Sequence, residues 1–106
     1  MQSVRMHLVQ LLLPLFDNDG QTFPDSTMRG IREELAARFG GFTAFSRTPA
    51  EGVWSKQGSN VRDDIILVEV MVEELDVTWW RHFREELEQR LRQQSLVVRV
   101  FSVTRL

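Results

Sequence analysis

A chain of 106 residues is long enough to bury one hydrophobic core without disulfides and too short for a second folding unit. Its 42% hydrophobic and 26% charged residues argue against disorder and against a membrane span, and its thirteen basic and fifteen acidic side chains are interleaved, leaving no basic field for nucleic acid. With no cysteine, disulfides, thiolate catalysis and cysteine zinc sites are excluded, which fits the reducing cytoplasm.

Val4 to Leu15 reads as a first strand, with His7, Val9, Leu11 and Leu13 on one side and Met6, Leu8, Gln10 and Leu12 on the other. Both sides are largely apolar, so both need cover. The run Leu8 to Phe16 follows Arg5 and His7 much as a targeting segment would. It contains Gln10 and Pro14, however, and leads into Asp17-Asn18-Asp19-Gly20 without a small-residue cleavage site, so the strand reading is preferred. Asp17 to Gln21 is a turn cluster, and a helix is predicted from Asp25 or Ser26. Its stripe is Met28, Ile31, Leu35 and Phe39, and Gly40-Gly41 closes it. Gly30 costs this helix ~1 kcal/mol relative to alanine, which implies close packing there or an irregular first turn.

Phe42 to Arg47 is a short second strand broken by Pro49 and Gly52, after which Val53-Trp54-Ser55 can resume pairing. Lys56 to Asn60 is a polar loop. Ile65 to Glu73 is the clearest strand, with Ile66, Val68, Val70 and Val72 on one side. Asp76 is the natural cap of a second helix, Val77 to about Gln93, whose stripe is Trp80, Phe83, Leu87 and Leu91. Leu96 to Thr104 is the last strand. This order predicts a single α+β domain over residues 1–106, a ferredoxin-like βαββαβ fold with a four-stranded antiparallel sheet and two helices on one face. The other face would carry Leu8, Leu12, Ile65, Leu67, Met71 and Phe101, and a bare apolar face of that kind predicts a homodimer.

Candidate chemistry is sparse. Extending Asp17-Asn18-Asp19-Gly20 to a calcium loop would put Leu15 at the first ligand position and Ser26 at the closing one, so the stretch is a turn. His7 and His82 lack metal-ligand spacing, so no metal site and no cofactor is assigned. His82 falls on the solvated side of its helix, and Trp79-Trp80 belongs to core packing or an interface. Arg47, Glu51 and Trp54 are different, because nothing periodic requires a charged pair and a large aromatic on one loop. They either pin the loop or bind a small polar or carboxylate-bearing ligand, with His7 as a candidate acid or base.

The stretches Leu11-Leu12-Leu13-Pro14-Leu15-Phe16-Asp17-Asn18, Gly40-Gly41-Phe42-Thr43-Ala44 and Pro49-Ala50-Glu51-Gly52-Val53-Trp54, with Trp79-Trp80 before a charged helix, resemble a group of small uncharacterised bacterial proteins. That resemblance spans nearly the whole chain and implies no activity. More loosely, the topology resembles the dimeric α+β barrels, which implies face-to-face pairing of two sheets and, at the level of fold, includes monooxygenases, isomerases and binding proteins. Two functions follow as expectations: a homo-oligomer with a small-molecule site at the 47–54 loop, or a non-enzymatic interaction or regulatory module.

Overall fold

The computed structural model describes residues 3–40, 44–49 and 64–106. Its elements are β1 (Val4–Pro14), α1 (Asp25–Phe39), β2 (Ala44–Pro49), β3 (Asp64–Val72), α2 (Val77–Arg90) and β4 (Val97–Arg105), in βαββαβ order. β1 lies inside the sheet because it is apolar on both faces and hydrogen-bonds on both edges. It pairs antiparallel with β3 from His7↔Val72 to Pro14↔Ile65, and with β4 from Val4↔Arg105 to Leu12↔Val97. The strand order is β2-β3-β1-β4.

The expected ferredoxin-like fold with a four-stranded antiparallel sheet is corrected by this arrangement. Three long antiparallel strands, β3-β1-β4, form the body of the sheet. β2 pairs antiparallel with the outer edge of β3 over six residues. It also runs through Pro49, the residue expected to break it, which pairs with Asp64. Proline lacks the N–H that an inner strand would need, and an edge position tolerates that loss. The expected resumption at Val53-Trp54-Ser55, the Lys56 to Asn60 loop, Gly41 and Phe42 lie outside the described residues.

Register decides which residues form the core. Val9, Leu11 and Leu13 stand beside Val70, Val68 and Ile66, and all six are buried under the two helices. α1 contributes Met28, Ile31 and Leu35, and α2 contributes Trp80, Phe83 and Leu87, with Leu91 just beyond its end. Each of these large side chains stabilises the fold by roughly 1.5–3 kcal/mol on burial, so truncating Leu11 alone would cost about 2–5 kcal/mol. The six residues expected on the other face, among them Leu8, Leu67 and Phe101, are outside this core.

The helix ends are local chemistry. The Asp76 carboxylate accepts a hydrogen bond from the Trp79 N–H at 3.0 Å, and α1 closes on Gly40 at φ 74°. Gly30 marks neither of the two features expected of it: α1 is continuous, and a Cβ there would meet no atom within 4 Å among the described residues. No helix among the described residues is long and apolar enough to cross a membrane.

Candidate functional site

The end of the sheet where β1 finishes and β3 begins is built by a tight turn. The Asp17 carboxylate accepts from the Asp19 and Gln21 N–H groups, both at 2.9 Å, while Gly20 takes φ 79° and donates to the Asp17 carbonyl. This is the turn expected from the sequence, in which the aspartate satisfies backbone donors that a metal ligand would leave free. Among the described residues no acidic or histidine cluster is placed to hold a metal. The Phe16↔Thr22 bridge then reverses the chain, and Phe23 and Pro24 lead into α1.

That reversal leaves a cavity of about 490 Å³ between β1, β3 and the start of α1. Leu15, Phe23, Met28 and Ile66 give it apolar walls, and Asp25, Arg29 and Arg32 bring charge to its rim. Arg29 and Arg32 are one helical turn apart, and both line the cavity beside Met28. Its lining combines apolar surface, which can supply affinity, with a few charged groups, which can fix orientation.

Of the residues singled out in the sequence, Arg47 lies in β2 with its backbone in register with Ile66, a wall residue of the cavity. Glu51, Trp54, Arg62 and Asp63 lie outside the described residues. His7 is elsewhere. Six residues separate it from Leu13 along β1, roughly 20 Å at ~3.3 Å per residue. Its Nδ1 is 3.3 Å from the Glu73 carbonyl oxygen, a hydrogen bond donated by the tautomer protonated at Nδ1. The structure therefore separates His7 from the Arg47 end of the sheet. His82 is exposed, and Trp79 and Trp80 lie in an aromatic cluster with Phe39 and Phe83.

Phe23, Arg29 and Arg32 were not singled out by sequence reasoning. The available signal was an aromatic just before a helix whose first two turns carry arginines three apart, beside an apolar stripe residue.

No family model matches the chain, and no curated protein does. Among solved structures it is similar to a phage SAM lyase in complex with S-methyl-5′-thioadenosine, with a TM-score of 0.56 and 17% identity over 93% of this chain and 89% of that one. At that identity the likeness is one of α+β fold.

Proposed function

We propose that the protein binds a small molecule with an apolar or planar body and an anionic group, in the cavity between the end of β1 and the start of α1. The convergence of Phe23, Met28 and Ile66 with Arg29 and Arg32 on a single volume of about 490 Å³ carries this reading. Apolar walls favour the body of such a ligand, and a guanidinium matches a carboxylate or phosphate with two parallel donors. On the β2 side, the backbone of Arg47 is in register with Ile66. His7 takes no part at this end.

The solved neighbour holds a nucleoside thioether, which makes S-methyl-5′-thioadenosine and S-adenosylmethionine rational probes beside simple aromatic carboxylates and nucleotides. Titration calorimetry on the full chain is expected to show saturable heat for at least one anionic probe, lost in Arg47→Ala and Arg29→Glu. Failure of the whole panel to bind would remove the proposal.

A second reading is self-association as an interaction module. It is favoured by the sheet face away from the helices, where Met71, Val97 and Phe101 are 36%, 45% and 43% exposed. Light scattering that shows a persistent monomer at high micromolar concentration would dismiss it.

A further inference from the structure

Among the described residues, the middle of the sheet face away from the helices is crossed by a polar row. β3, β1 and β4 place Glu69, Gln10 and Arg99 side by side in register. The Gln10 Nε2 donates to Glu69 Oε2 at 2.7 Å, and Gln10 Oε1 accepts from Arg99 Nε at 2.7 Å. The row thus runs from an anion through a neutral amide to a cation, over roughly 10 Å at ~4.8 Å per strand. Glu69 Oε1 and the Arg99 Nη groups have no hydrogen-bond or ion-pair partner among the described residues. Apolar rows flank it, Met71-Leu8-Phe101 on one side and Leu67-Leu12-Val97 on the other.

We propose that this face pairs with a second copy of the chain about a two-fold axis parallel to β1, with Glu69 of each protomer opposite the other's Arg99. The inference rests on the self-association reading and adds to it an axis and a register. A two-fold along β1 stacks β1 on β1 and exchanges β3 with β4. Anion then meets cation twice, Gln10 meets Gln10, and each apolar row falls on itself. A two-fold perpendicular to the strands sets Glu69 on Glu69 and Arg99 on Arg99. The charge pattern is its own complement in one orientation, which is the requirement of an isologous interface.

Sheets packed face to face stand ~10 Å apart with strands within ~30°, a gap that glutamate and arginine side chains can bridge. The apolar rows shield the two ion pairs from water. The pairs therefore weigh more than exposed ones, and like-charge juxtaposition penalises the wrong axis.

The test uses analytical ultracentrifugation on the full chain, Glu69→Arg, Arg99→Glu and an equimolar mixture of the two variants, with circular dichroism to confirm folding. The wild type is expected to dimerise. Each variant alone turns two attractions into two repulsions and should dimerise about tenfold more weakly or worse, while the mixture, whose rows are oppositely charged, should recover the dimer. If a reversal disturbs folding, Glu69→Gln and Arg99→Gln should each still weaken the dimer several-fold.

A monomeric wild type removes self-association and this inference together, leaving the face to a different partner. If the wild type dimerises and the single variants dimerise equally well, self-association stands while the axis and register fail, as they would for pairing through the outer edge of β4. Folded variants whose mixture stays monomeric also overturn the proposal.

Discussion

The ring of Phe39, the last residue of α1, lies flat on Trp80 of α2, with centroids 5.1 Å apart and planes 6° from parallel. Its edge meets Trp79 at 5.2 Å, and the Arg38 guanidinium sits 4.3 Å from the Trp79 ring centroid and 3.7 Å from the Asp76 carboxylate that caps α2. The end of one helix and the start of the next are therefore a single cluster. Phe39→Ala is expected to lower stability by about 2–3 kcal/mol, below the range for a fully buried ring because Phe39 is half-buried. In a chain of this length that is a fall in Tm of roughly 10 °C or more, with loss of near-ultraviolet dichroism from the tryptophans. An unchanged melt would show that the stacking adds nothing.

At the other end of the helix pair, Arg90 donates to Glu34 at 2.6 and 3.3 Å and to Glu86 at 2.7 Å. Hydrogen bonding to Glu34, and then attraction to Glu34 and contact with Glu86, holds the guanidinium above the ordinary arginine pKa, with partial burial opposing. A pKa raised in the folded state stabilises below the unfolded value and is lost as pH rises through the folded one, here in strong alkali. Arg90→Met should cost about 1 kcal/mol, limited by the exposure of both carboxylates, and that cost should shrink in high salt. Equal losses at low and high salt would assign it to packing of the arginine stem.

Gly30 offers the opposite sign. It is helical, has no atom of the described residues within 4 Å of where a Cβ would go, and is not at positive φ. Gly30→Ala is expected to raise stability by about 0.5–1 kcal/mol, because alanine loses less conformational entropy on folding. A lower midpoint in denaturant would mean that the missing side chain is needed for a contact.

Binding and folding should separate at Arg29, which is exposed on the rim of the cavity and makes no ion pair among the described residues. Arg29→Glu should leave stability within about 0.5 kcal/mol of wild type. It should also abolish the thermal shift produced by an anionic probe. A retained shift would place the anion elsewhere.

The helix stripes, the strand alternation, the Asp76 cap and the Asp17 turn were legible in the sequence because each depends on neighbours within a few residues. The periodicity that puts Met28, Ile31 and Leu35 on one stripe is set by 3.6 residues per turn, whatever lies opposite. Likewise Val9, Leu11 and Leu13 share a face because a strand repeats every two residues. Arg47 was noticed for its company on a loop, without any indication of what stands beside it.

What only the tertiary structure decided is how distant residues meet. His7 and Arg47 were assigned to one site, yet antiparallel register sets them at opposite ends of the sheet. Phe23, Arg29 and Ile66 share a cavity because the chain reverses at Asp17 and because β3 starts where β1 ends. Glu34 reaches Arg90 across 56 residues, and Gln10 joins Glu69 to Arg99 across 59 and 89. Local patterns state which face of an element is apolar. Register and helix docking then determine which charges face one another, since a slip of one residue would turn the row of Glu69, Gln10 and Arg99 to the other face of the sheet.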